Sequence, residues 1–115
     1  MNSDHKTVQD LHDSASFECL SGSDILRQQP VSSVYCCDLL SIVMGKAPAD
    51  CAWVTIMGNI NAIAVAVLVN AACVIIADGA PIEDRALEKA ASEGVILLKS
   101  SLPIYETAKL VDSLL

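Results

Sequence analysis

A chain of 115 residues with a net charge of −7 and a pI near 4.5 offers no basic surface to a phosphate backbone, so nucleic acid is excluded as an expected partner. Its hydrophobic fraction is 53% with only 3% aromatics, which calls for one core of Val, Ile, Leu and Ala, enough at this length to bury about 60 to 70% of the unfolded surface. Five cysteines, Cys19, Cys36, Cys37, Cys51 and Cys73, are an odd number set largely in apolar runs, the pattern of free thiols in a reducing, cytoplasmic compartment rather than of a disulfide framework.

Residues 1 to 6 read as a flexible lead-in, and Asp4, Lys6, Asp10, Asp13 and Glu18 interrupt any signal-peptide core. Thr7 is placed to cap a short helix over Val8 to Ser14, with Asp10 three residues on as the reciprocal partner of a capping box. Phe17 to Leu20 is a short apolar stretch, Ser21-Gly22-Ser23-Asp24 has turn chemistry, and Pro30 closes the linker. Val31 to Cys37 reads as a strand, ending at Asp38 as N-cap of a helix over Leu39 to Met44 that Gly45 stops. After the loop from Lys46 to Cys51, the centre of the chain is one βαβ unit. Ala52 to Met57 is its first strand, Gly58-Asn59 the turn, Ala62 to Val69 the helix, and the apolar run up to Ala77 the second strand. Asp78-Gly79-Ala80-Pro81 leaves that strand. Glu83 to Glu93 is an amphipathic surface helix ending at Gly94, Val95 to Leu98 a buried strand, and Ile104 to Leu114 a last helix.

Apolar strands without polar alternation, separated by helices of about ten residues, imply a mostly parallel sheet covered on both faces. The expected fold class is a three-layer α/β/α single domain. The run Ala62 to Ala77 is broken by Asn70 and falls short of the roughly 20 apolar residues of a membrane span, so no membrane partner is expected.

Between Ala62 and Val69 no residue is polar, and a helix apolar on every side is one buried on every side. In so short a chain this predicts a homodimer packed across the helix, with Ala62, Val65, Ala66, Val67 and Val69 as interface residues. The alternative is that the first or the last helix of the same chain covers it.

Four segments, Tyr35-Cys36-Cys37-Asp38-Leu39-Leu40-Ser41, Trp53-Val54-Thr55-Ile56, Val74 to Gly79, and Leu98 through Tyr105-Glu106-Thr107-Ala108, resemble the DRTGG domain family. The resemblance covers roughly Thr7 to Leu115 and extends more distantly to the amino-terminal domain of bacterial HPr kinase/phosphorylase. It implies a three-layer α/β domain, usually dimeric, found alone or attached to CBS domains, phosphotransacetylases and family II pyrophosphatases, with a regulatory role and no catalytic residues of its own. Two motifs depart from the family. Its Gly-Asp-Arg turn is here Met57-Gly58-Asn59, so an anion contact through that arginine is not carried over, and its Thr-Gly-Gly is Asp78-Gly79 preceded by Ala77.

Ligands of open parallel sheets bind outside the carboxyl ends of the strands. Three loops lie at such ends, which makes Gly58, Asn59, Asn61, Asp78, Gly79, Lys99 and Ser101 candidate ligand residues, with Tyr105 and Thr107 nearby. The plain alternative is that these glycines and asparagines serve turns and caps. A nucleotide or other small anion is the sharpest expectation for the ligand, with Lys99 as the cation at the rim, although no GxxxxGK[ST] or GxGxxG occurs. No metal and no cofactor are expected, since there is no CxxC pair, adjacent Cys36 and Cys37 point to opposite faces of a strand, and His5 and His12 lie apart from them. No nucleophile has a base in reach, and the acidic residues Glu83, Asp84, Glu88 and Glu93 sit on a surface helix. Three classes of function therefore stand: a dimeric regulatory module acting through protein contacts, a nucleotide or phospho-metabolite sensor, and an enzyme of unrecognised type.

Overall fold

The apolar runs of this chain become strands because both of their faces find helices to cover them. The computed structural model describes residues 6–115, so the expectation for residues 1–5, His5 included, lies outside the described residues. Helix α1 (Val8–Ala15) is followed by strand β1 (Glu18–Ser21), then β2 (Ser33–Cys36), α2 (Leu40–Lys46), β3 (Cys51–Thr55), α3 (Ile60–Val69), β4 (Cys73–Ile76), α4 (Asp84–Glu93), β5 (Leu97–Lys99) and α5 (Ile104–Leu114). The strands form one sheet in the order β1-β5-β4-β3-β2, parallel except for β1, which runs antiparallel to β5 at the edge.

Consecutive parallel strands are neighbours here, so each of α2, α3 and α4 is a single-step crossover, and crossovers of one hand stack on one face of the sheet. Side chains alternate accordingly. Cys51, Trp53, Val74, Ile76 and Leu97 pack with Val43 of α2, Ile63 of α3 and Ala86 of α4, whereas Ala52, Val54, Cys73, Ile75 and Leu98 pack with Leu11 of α1 and Val111 of α5. The result is the three-layer α/β/α arrangement expected from the sequence. Trp53 is fully buried, and its indole N–H donates to the Cys37 carbonyl at 2.9 Å, which satisfies the one polar atom that a buried Trp brings into a core.

The capping reading of α1 holds in its reciprocal half: the Asp10 carboxylate accepts from the Thr7 backbone N–H at 2.9 Å. Two local readings are corrected. Asp38 does not cap α2, whose N-cap position is Leu39 and carries no side-chain bond; the Asp38 carboxylate instead accepts from the Thr55 hydroxyl and from the Ile56 N–H at 3.1 Å, lashing the exit of β2 to the exit of β3. Gly45 does not end α2 but lies inside it, and its φ is not positive.

The first and last helices do not cover α3, because they lie on the other face of the sheet. Nor is α3 buried on every side. Ala62, Ile63, Val65 and Ala66 face the sheet, while Val67 and Leu68 point outward, 39% and 69% exposed. Leu39, Ile42 and Met44, on and beside the neighbouring α2, are exposed as well, so the outer layer presents apolar side chains on two adjacent helices. Of the five residues expected at an interface, Ala62, Val65 and Ala66 are thus committed to the chain's own core, and Val67, with half-buried Val69, remains on the surface. Among the described residues no helix is long and apolar enough to cross a membrane.

Candidate functional site

The loops that leave the carboxyl ends of β3, β4 and β5 do converge, but they do so by bonding to one another. Gly58 pairs with Ile82 in a parallel bridge, and the Glu83 N–H donates to the Gly58 carbonyl at 2.8 Å. The Asp78 and Gly79 N–H groups donate to the Leu102 and Ser100 carbonyls at 2.7 and 3.0 Å. With φ of 61° and 60°, Asp78 and Gly79 form the two central residues of a tight turn closed by Ala80 N–H on the Ala77 carbonyl at 3.0 Å, the left-handed geometry that favours Asp-Gly. Amides that a ligand would need are therefore spent inside the fold.

Several candidate residues have structural duties of the same kind. Asn59 caps α3, its side-chain oxygen accepting from the Ala62 N–H at 2.9 Å, and Gly58 lacks a side chain because a Cβ there would run into the backbone of Pro81 and Ile82. Thr107 is fully buried: its hydroxyl meets that of Ser100 at 2.9 Å and donates to the Leu102 carbonyl at 3.1 Å, which ties the start of α5 to the exit of β5. Asn61 and Tyr105 are exposed, the ring of Tyr105 lying 6.0 Å from the Lys109 ammonium; neither lines a cavity with the others.

What remains open is smaller and polar. Gly79, Lys99 and Ser101 line a cavity of about 240 Å³ together with Ser16 and Glu18. The last two were missed from the sequence because Ser16 is the C-cap of α1 and Glu18 belongs to the antiparallel edge, where it stands directly opposite Lys99; the alternation of outward Glu18 with inward Phe17 and Cys19 was the signal available for Glu18. Among the described residues no three His, Cys, Asp or Glu side chains gather as a metal site.

A larger cavity, about 480 Å³, opens at the opposite end of the sheet, before β3, β4 and β5, lined among others by Gln29, Asp50, Asn70, Glu93 and Gly94. Asp50, Asn70 and Gly94 all have positive φ, and the last two terminate α3 and α4. Two helix carboxyl termini and two carboxylates give this cavity the wrong sign for an anion.

All five cysteines are free. Burial pushes the Cys51 thiol up to about 11 and that of Cys73 higher still, and it also raises Cys19 and Cys36; Cys51 and Cys73 lie in the core as protonated packing groups.

No family model matches the sequence, and no curated protein matches it. Among solved structures the chain is similar to the CBS and DRTGG domains of the regulatory region of a Clostridium perfringens pyrophosphatase, solved in complex with its activator, diadenosine tetraphosphate, with a TM-score of 0.75 over 95% of this chain at 11% identity. The likeness is one of fold. It is consistent with the DRTGG-like pattern of the sequence, and this chain spans about half of that one, 47% of its length.

Proposed function

We propose that the protein is a non-catalytic regulatory module that works as a homodimer through the outer face of α2 and α3 and senses a small ligand at its carboxyl rim. The observation that carries the assembly is the exposed apolar surface: Leu68 at 69%, Leu39 at 59%, Met44 at 51%, Ile42 at 40% and Val67 at 39%. Exposed apolar side chains on two adjacent helices mark an interaction surface, and on α3 Ala64, Val67 and Leu68 line a groove against Lys89 and Glu93 of α4 where a second backbone can approach. Regulation is supported by the DRTGG resemblance and by the fold shared with a regulatory region.

The test pairs two surface substitutions. Leu68→Asp on α3 is expected to give a monomer by sedimentation, whereas Tyr105→Asp on the opposite layer leaves the dimer intact. Equal masses for both variants overturn the assignment of the interface. The second reading, a sensor of nucleotides or phospho-metabolites, is favoured by the diadenosine tetraphosphate of the structural neighbour. It requires such a ligand to raise the melting midpoint through selective binding to the native state and Lys99→Met to abolish the rise.

A further inference from the structure

We infer that the cavity between β1 and β5 binds a small zwitterion, a molecule carrying one ammonium and one carboxylate a few atoms apart; this rests on the ligand-sensing half of the reading above. Glu18 and Lys99 are direct partners in the antiparallel register of β1 and β5, so their side chains emerge on the same face of the sheet. They do not close on each other. Among the described residues the ion pairs are His12 with Asp13 and Lys89 with Glu93, and both Glu18 and Lys99 line the cavity. The pocket therefore presents one negative and one positive charge, and a ligand with the complementary two engages both by charge-assisted bonds. The hydroxyls of Ser16 and Ser101 complete the lining and can donate to a carboxylate or accept from an ammonium.

Size and sign decide against the larger anions. At about 240 Å³ the cavity falls below the roughly 300 to 1,000 Å³ of pockets for drug-sized ligands. An amino acid is of the size to be held within it, whereas most of a dinucleotide would lie outside. A polyphosphate also meets Glu18 as a like charge with Lys99 as the one cation of the lining.

Isothermal titration calorimetry of the whole chain against the twenty common L-amino acids is the test, with the deaminated and decarboxylated analogues of any that binds as controls; for L-alanine these are propionate and ethylamine. A saturable amino-acid signal is expected, with each singly charged analogue weaker by at least about tenfold. Glu18→Gln and Lys99→Met, both outside the core, are each expected to raise the Kd of the amino acid by a similar factor. An analogue without the ammonium that binds as tightly as the amino acid would overturn the zwitterion assignment and leave an anion sensor. Binding of ATP or diadenosine tetraphosphate with no response to any amino acid would overturn it too, leaving the sensing reading intact, whereas silence towards amino acids, analogues and nucleotides overturns both.

Discussion

Gly58 separates a structural from a ligand-binding origin of the central turn most sharply, and Gly58→Ala is the perturbation that does it. A Cβ at this position would stand 2.8 Å from the Ile82 Cα and 3.0 Å from its Cγ1, with the Pro81 carbonyl oxygen also in contact. Two of these three atoms are backbone, and the segment is held by the bridge from Gly58 to Ile82 and the 2.8 Å bond from Glu83 to Gly58. Forcing a methyl into such a site costs about 1 to 3 kcal/mol, and stretching that hydrogen bond removes about 0.5 to 1.5 kcal/mol more. The sum, about 1.5 to 4.5 kcal/mol, corresponds to a fall in Tm of roughly 6 to 18 °C for a domain of this length. Urea unfolding followed by circular dichroism checks it, with a lower midpoint and an unchanged slope as the expected pattern. A variant within about 0.5 kcal/mol of the wild type refutes the steric argument.

Gly45→Ala, at an exposed helical position where a Cβ meets nothing within 4 Å, is expected to stabilise the protein by about 0.5 to 1 kcal/mol in the same assay; a loss of stability contradicts the placement of Gly45 inside α2. Thr107→Val removes a buried hydroxyl bonded to Ser100 and Leu102 and is expected to cost about 1 to 3 kcal/mol while leaving any ligand affinity unchanged; lost binding at full stability returns Thr107 to the site. Cys51 and Cys73 stay protonated in the fold with their thiols raised above 9.0, Cys51 to about 11, while the unfolded chain gives up those protons near 9. The native state then binds more protons than the unfolded one, so stability is full below pH 9 and falls as pH rises, by about 1.4 kcal/mol per unit for each thiol. Urea midpoints measured from pH 8 to 10.5 that stay level would contradict this.

Most of the fold was legible because its strands are runs of Val, Ile, Ala and Cys with no polar alternation, and its helices carry local signals such as Thr7 with Asp10 and Gly94 at a helix end. The exceptions have a common physical origin in contacts between residues distant in the chain. Asp38 looked like a cap because it precedes a helix, yet Thr55 and Ile56, brought beside it by the parallel pairing of β2 with β3, compete for its carboxylate and win. Glu18 joined the rim only through the antiparallel edge, a pairing that β1, four residues long, announces weakly. The apolar helix α3 was read as covered on its outer side by a second copy; within one chain α2 and α4 flank it and leave Leu68 exposed, a disposition that the sequence alone does not assign to one residue of the helix rather than another. At the carboxyl rim, glycine and asparagine look the same whether they serve a turn or a ligand, and the bonds of Asn59, Asp78 and Gly79 show them serving turns and caps.

On the proposed function, a second copy of the chain covers the outer face of α2 and α3. Sedimentation equilibrium of the wild-type protein at micromolar concentration tests it most directly. A mass of twice 12.1 kDa is the expected result, and a mass of 12.1 kDa across the concentration range would contradict it.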